Sequence, residues 1–205
     1  MRGQIGRFQV TSRPRQLTHA ERAARFPLDF DIVLGRNGRV DVQVPLAWQQ
    51  LHLVRLGPYH IMGRLTFCPR VNINAAPVFS ALFEAVKAAR LLGDILTFDG
   101  GWVARLKRGA TLPPVGSSTD AYDQLLSSHS RGTAVDLNAR WNPMGAPGAA
   151  AGEEGSLHRI IDIAHTIRVE FATDQPWSAG IVCGADWHGA SQDSMHFEVG
   201  TWDPA

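Results

Sequence analysis

Two short stretches hold residues that could do chemistry together: Ser127-Ser-His-Ser-Arg-Gly-Thr-Ala-Val-Asp136 and Asp193-Ser-Met-His-Phe-Glu198. They contain two histidines, His129 and His196, and two aspartates, Asp136 and Asp193. Two imidazoles and one carboxylate form a common ligand set for catalytic zinc, which keeps a further position open for water. Such a metal lowers the pKa of water towards about 7 and polarises a carbonyl. His129, Asp136 and His196 make that set. Asp193, just ahead of His196, would stand beside the metal without binding it and act as a general base, taking a proton and handing it to a leaving amine.

The elements that must position these groups are strands. Thr133 to Asn138 alternates, with Thr133, Val135 and Leu137 on one face and Ala134, Asp136 and Asn138 on the other, the period of a half-buried strand. The second stretch repeats the pattern: Met195, Phe197 and Val199 are expected to point one way, and His196 and Glu198 the other. Two such strands paired antiparallel would present Asp136 and His196 to a common surface, with His129 closing over it from a turn. Glu198 shares the His196 face and would orient a ligand through a hydrogen bond.

These residues carry a resemblance. Ser127-x-His129-x-x-Gly132-x-Ala134-x-Asp136, followed by Asp193-x-x-His196, resembles the signature of the zinc D-Ala-D-Ala carboxypeptidases and L-alanyl-D-glutamate endopeptidases, peptidoglycan peptidases that include phage endolysins. The resemblance implies one zinc per chain held by His129, Asp136 and His196, with Asp193 in acid/base work. It extends to Gly180-Ile-Val-Cys-Gly-Ala-Asp-Trp187 and to Gly100-Gly-Trp-Val-Ala-Arg105, where the family carries an arginine that stabilises the oxyanion. Residues 70 to 200, roughly, are covered, and many members have Glu where this chain has Asp193. Hedgehog signalling domains share this fold and metal site but act by binding partners.

The wider chain is consistent with one globular domain. It has 205 residues, 44% hydrophobic and 19% charged, with a formal net charge of +1, enough to bury a single core and too neutral for a dedicated nucleic-acid binder. Cys68 and Cys183 form no CxxC pair and read as buried thiols. No apolar run of about 18 residues suggests a membrane span, and the start lacks the apolar segment of a secretory signal. A wall-acting protein of this kind, made in the cytoplasm, is therefore expected to reach the cell wall or periplasm by a phage or a secretion or injection system.

Residues 1–25 hold six arginines and one acid, Glu21, and read as a basic arm, flexible or docking onto a delivery partner. Residues 26–70 read as a β-rich segment, either an accessory subdomain or edge strands of the main sheet. In it Ile32–Leu34 and Val40–Val44 flank a hairpin turn at Asn37-Gly38. Residues 71–205 form the zinc peptidase domain, with a helix over Pro77–Leu92 stopped by Gly93, a strand over Ile95–Phe98, loops over Leu112–Asp123 and Asn142–Gly155, and a helix from a Ser156 cap to about Phe171. The expected fold is α+β, a small antiparallel sheet with helices on one face and the zinc cleft on the other.

Around the metal, Arg105 has the permanent charge and fork geometry for an oxyanion or a substrate carboxylate. Ser127, Trp187 and His188 are candidate substrate contacts. His19, His52, His60, His158 and His165 have no constellation around them. A serine nucleophile at Ser127 or Ser130 is disfavoured, because no Gly-x-Ser-x-Gly elbow is present. The function read from these residues is zinc-assisted hydrolysis of peptide bonds in peptidoglycan stem peptides. The competing reading is a non-catalytic zinc-containing wall-binding or structural tail module.

Overall fold

The structure, a computed structural model, describes residues 13–34, 40–61, 65–114, 117–172 and 176–203. The chain order begins β1 (Arg15–Gln16), α1 (His19–Arg25), β2 (Asp31–Leu34), β3 (Val40–Gln43), α2 (Leu46–His52), β4 (Leu53–Arg55), β5 (Tyr59–Ile61), β6 (Leu65–Phe67) and β7 (Arg70–Asn72). It continues with α3 (Ala76–Ala88), β8 (Phe98–Gly100), α4 (Thr119–Asp123), β9 (Ala134–Leu137), α5 (His158–Ala164), β10 (Val169–Phe171), β11 (Trp177–Cys183) and β12 (His196–Thr201).

The main sheet has six strands, in the order β10-β11-β12-β9-β8, with β1 paired to β12. Every pairing in it is antiparallel. Strand β12 is the centre. On one edge it pairs with β11 from Cys183↔Phe197 to Ala179↔Thr201. On the other it pairs first with β9, His196 opposite Asp136, and then with β1, Gln16 opposite Gly200. Side-chain alternation sends Val135, Leu137, Phe197 and Val199 into the core, where Phe79, Leu82, Phe83 and Val86 of α3 and Ile160 and Ala164 of α5 cover them. Asp136, His196 and Glu198 fall on the opposite face. The expected α+β layering is therefore present, with α3 and α5 on one face of the sheet.

The segment 26–70 contributes ribbons rather than edge strands of the main sheet. β2–β3, β4–β7 and β5–β6 are separate two-stranded pairs. The β2–β3 register, Asp31↔Gln43 to Leu34↔Val40, is that of the expected hairpin; its Asn37-Gly38 turn lies outside the described residues. Tyr59 and Phe67 join the main core through Phe83, with ring centroids 5.0 and 5.3 Å away. A smaller apolar cluster of Phe30, Val42, Val44, Trp48, Tyr122 and Leu126 ties β3 and the unanticipated helix α2 to α4.

Several boundaries differ from the sequence reading, each for a local reason. Helix α3 ends at Ala88 rather than Leu92 because the chain closes in a Schellman turn: Leu91 N donates to Val86 O and Arg90 N to Lys87 O, both at 2.9 Å, with Arg90 at φ 60° in the glycine-like conformation. Residues 95–97 form no strand, since the amides of Leu96 and Thr97 donate to the side chain of Asn138 at 2.8 and 3.0 Å. The second helix stops at Ala164, and Val169–Phe171 is strand β10 against β11. Ile167, Val169 and Phe171 alternate with period two, a pattern overlapping the helical spacing of Ile160, Ala164 and Ile167. The loop expected over 112–123 contains α4.

From Arg13 onward the basic stretch is docked on the sheet; residues 1–12 lie outside the described residues. Helix α1 begins with a capping box in which Glu21 N donates to Thr18 Oγ1 at 3.2 Å and Thr18 N donates to Glu21 Oε2 at 2.8 Å. The Arg15 guanidinium forks onto both Glu21 oxygens at 2.8 Å. Arg15 is the main cause of a Glu21 pKa held down to about 2, with burial opposing. A carboxylate depressed on folding stabilises above its unfolded pKa, and the stabilisation is lost as pH falls through the folded value. Glu21→Gln should therefore be less stable than the native chain near pH 6, by under about 1 kcal/mol for so accessible a pair. In acid unfolding titrations the gap should close between pH 4.5 and about 2; a gap that persists at pH 2 would show another origin.

Candidate metal centre

The first ligand is delivered by a short 3-10 turn, Ser128–Arg131. Ser127 precedes it in extended conformation and its hydroxyl accepts from His129 N at 3.4 Å. Gly132 closes it at φ 69°, where an added Cβ would lie 2.5 Å from Asn72 N. Both the left-handed backbone and the close approach require glycine. The turn is stitched to the segment carrying Arg105: Arg105 N donates to Ser130 Oγ at 2.9 Å, Ser130 Oγ donates to Arg105 O at 2.6 Å, and Ser127 N donates to Arg105 O at 3.1 Å. The Gly132 turn then feeds directly into β9 and Asp136.

His129, Asp136 and His196 converge so that one donor atom from each lies within 4.8 Å of the others. Each ring has one nitrogen engaged away from this point. His129 Nδ1 is 2.7 Å from Gly101 O, which only an N–H can satisfy, and in the neutral ring this leaves the lone pair on Nε2. That Nε2 is buried and has no hydrogen-bond partner, although Asp136 Oδ2 is 3.2 Å away. His196 Nε2 faces Glu198 Oε2 at 3.3 Å, and its Nδ1 faces Asp136 Oδ1 at 3.0 Å. The two imidazoles stand edge to face with centroids 5.1 Å apart. An unpartnered buried nitrogen, a second imidazole and a carboxylate aimed at one point fit a zinc ion, with both rings held by acceptors behind them.

The electrostatics agree with a site that stores charge. Burial pushes the Asp136 carboxyl up, but contact with both imidazoles outweighs it and holds the group well below the usual carboxylate range. Burial likewise pulls His196 down, and its contacts with Asp136 and Glu198 bring it up to about 9. Glu198 is 2% exposed and is held at about 2 by His196, Arg22 and Ser128 against burial.

The cleft over these groups has a volume of about 510 Å³. Asp193 lines it, with Oδ1 buried and unpartnered. Its position is set by backbone: Asp193 N donates to Gly184 O at 3.0 Å and His196 N donates to Asp193 O at 2.9 Å. A Cβ on Gly184 would meet Asp193 O at 2.2 Å. Burial raises the Asp193 pKa against the attraction of His196. Arg105 lines the same cleft, half-buried, and its guanidinium makes no ion pair with a described residue. Burial lowers it from its ordinary value, while Asp136 and Asp193 work in the opposite direction.

Among the proposed substrate contacts, Ser127 and Trp187 line the cleft, the Trp187 ring lying 5.4 Å from His196. His188 does not: it is exposed and is not one of the residues lining the cleft. Met195 departs from the alternation. It precedes β12 and lines the cleft instead of joining the core. Trp102 is a packing residue, with Nε1 donating to Ser130 O at 2.9 Å and Arg70 over its face at 4.7 Å.

Sequence reasoning missed Ser128, whose hydroxyl bonds to Glu198, and Arg22, 3.4 Å from the same carboxylate. The Thr18-x-x-Glu21 capping box was the available signal that α1 starts where it does. His165 is also less solitary than expected. It is 2.8 Å from Asp186, and with Cys183 these residues form a second group of donor atoms within 4.8 Å. Arg13 pairs with the other Asp186 oxygen, and burial pushes the Cys183 thiol up; that group is a satisfied ion-pair network beside a core thiol. Both cysteines are free.

One face of the small antiparallel sheet thus carries a His-Asp-His group that could hold a metal, beside a buried carboxylate oxygen without a partner. Residues 121–199, less than half of the chain, match the family model described as D-alanyl-D-alanine carboxypeptidase. No curated protein and no solved structure matches the chain. The matched segment contains all three ligand candidates and Asp193, but not Arg105.

Zinc at about a hundredfold over Kd is expected to stabilise the native chain by about 2.7 kcal/mol, a rise in Tm of about 5–10 °C at this size. His129→Ala and His196→Ala should abolish the rise in differential scanning calorimetry. No shift in the native chain would dismiss the centre as a zinc site.

Proposed function

We propose that this chain is a zinc-dependent peptidase that hydrolyses peptide bonds in peptidoglycan stem peptides. The observation that carries the reading is the convergence, in one cleft, of His129 Nε2, Asp136 and His196 Nδ1 with the unpartnered Asp193 carboxylate, inside the segment matching the carboxypeptidase family.

When bound, zinc would supply a Lewis acid and lower the pKa of water towards about 7. The residues of the chain do the rest. His129, Asp136 and His196 would hold the ion, with Gly101 O and Glu198 fixing the two rings. Asp193 Oδ1, unpartnered and raised in pKa by burial, takes the proton of the attacking water and returns it to the leaving amine nitrogen. Arg105 donates to the oxygen that becomes negative as the carbonyl carbon turns tetrahedral, since its charge is permanent and no described carboxylate engages it. Trp187 forms an apolar wall beside His196 against which a peptide stem would lie.

Both a terminal D-Ala-D-Ala bond and an internal L-alanyl-D-glutamate bond offer the required carbonyl, and product identity distinguishes them. The test is release of new amino termini and of D-alanine from purified peptidoglycan. Native protein should release product, and a chelated sample none. Asp193→Ala should lose about 10²–10⁴ in kcat while retaining one zinc. No release by a folded, zinc-loaded chain on several wall types would favour a non-catalytic wall-binding module. Arg105→Gln should lose about 10²–10³ in kcat at nearly unchanged KM in steady-state kinetics; a change confined to KM would instead assign Arg105 to ground-state binding of a substrate carboxylate.

A further inference from the structure

Glu198 is a buried acid on the candidate metal-site face of β12. It is 2% exposed, and its carboxylate is held from three parts of the chain. His196 Nε2 lies 3.3 Å from Oε2, the Ser128 hydroxyl donates to the same oxygen, and Arg22 Nη2 lies 3.4 Å from Oε1. Ser128 precedes His129 in the turn that presents the first metal-ligand candidate. Glu198 thus links the His196 ring to the His129 turn, and Arg22 is its third anchor.

Arg22 comes from α1, far from the others in sequence and outside the matched residues 121–199. Its placement is built in several steps. Strand β1 continues the edge of β12 beyond the end of β9, which sets Arg15–Gln16 beside Gly200 and Thr201. The Thr18–Glu21 capping box starts α1 directly after, and Arg15 forks onto Glu21. Leu17 is buried in the main core and Arg25 stacks over Trp177 at 4.5 Å. These contacts fix the rotation of the helix and direct Arg22, on the following position after Glu21, into the cleft lining, with its side chain only 14% exposed.

The chemistry of a ligand imidazole makes this anchor consequential. A histidine that gives one nitrogen to a metal is neutral apart from the ion, and its other N–H needs a fixed acceptor to set the ring plane. A buried carboxylate in that role needs its own charge compensated and its rotamer fixed. The Ser128 hydroxyl supplies a hydrogen bond without charge. The guanidinium of Arg22 supplies the charge.

We infer that Arg22 is a positioning residue of the metal centre: it holds Glu198 in the rotamer that fixes the His196 ring, so the N-terminal segment 15–25 completes a site whose ligands all lie more than a hundred residues later. The inference rests on reading His129, Asp136 and His196 as a metal site, and it extends the working unit beyond the family-matched segment.

The test measures zinc affinity of the full chain by competition with a chromophoric chelator, together with the visible absorption of the cobalt-substituted protein, whose ligand-field bands report ring orientation. Arg22→Gln should weaken zinc binding by about tenfold or more, the usual consequence of losing an outer hydrogen-bonding partner of a ligand, and shift the cobalt bands. Arg22→Lys should recover most of the loss. Lys87→Gln, which removes an exposed cation of α3 without touching Glu198 or α1, should leave both readouts native. In a Glu198→Gln background, Arg22→Gln should have no further effect, as a coupled pair requires. Native zinc affinity and cobalt bands in Arg22→Gln would overturn the inference alone, and so would an equal loss in Lys87→Gln or full additivity with Glu198→Gln. A native chain that takes up no zinc would overturn the metal-site reading as well.

Discussion

The structure depends on one register, the antiparallel pairing of β9 with β12 that sets Asp136 directly opposite His196. Cross-strand partners in an antiparallel pair sit close enough for side chains to interact, and here Asp136 Oδ1 lies 3.0 Å from His196 Nδ1. A slip of one residue would turn every β12 side chain to the other face. His196 and Glu198 would then face α3 and α5, and Phe197 and Val199 would face the cleft. Burial of Phe197 and Val199 in the main core therefore enforces the same register that assembles the site. Packing energy on one face specifies the geometry of polar groups on the other.

Around that pairing the backbone supplies what the side chains cannot. The left-handed Gly132 lets the His129 turn approach Asn72 and enter β9 at once, and Gly184 lets the Asp193 turn pack against the end of β11. Gly101 O and Glu198 sit behind the two imidazoles and leave one nitrogen of each directed at the same point. The ligand set is thus ordered by contacts that do not themselves involve an ion, a form of preorganisation in which folding rather than binding meets the entropic cost of alignment.

Charge inside the cleft is arranged in two layers. The inner layer pairs Asp136 and Glu198 with His196 and Arg22 and is largely buried. The outer layer, Asp193 and Arg105, is partly desolvated and lacks fixed partners, so both groups remain available to a ligand entering the cleft. Desolvation raises the worth of any charge interaction made there. That division separates groups that hold the site from groups free to act on what enters it.

The sequence alone determined the residue types and the local geometry of the candidate site. The period-two alternation at 133–138 and 195–199 put Asp136 and His196 on polar faces, and the two motifs nominated His129, Asp136, His196 and Asp193 as one candidate site, which the fold brings together; the α+β class and the apolar stripe of α3 were legible in the same way. These features are encoded within a few residues, so local periodicity carries them. Element ends were less legible, because the turn that ends α3 at Arg90 and the Asn138 side chain that takes the amides of Leu96 and Thr97 compete with local propensity through contacts formed only in the fold. Tertiary structure decided that Met195 faces the cleft, that His188 does not, and that the basic segment around Arg22 is a wall of the site and a partner of Glu198. The physical reason is sequence distance: Arg22 and Glu198 are 176 positions apart, and only the pairing of β1 with β12 brings them together.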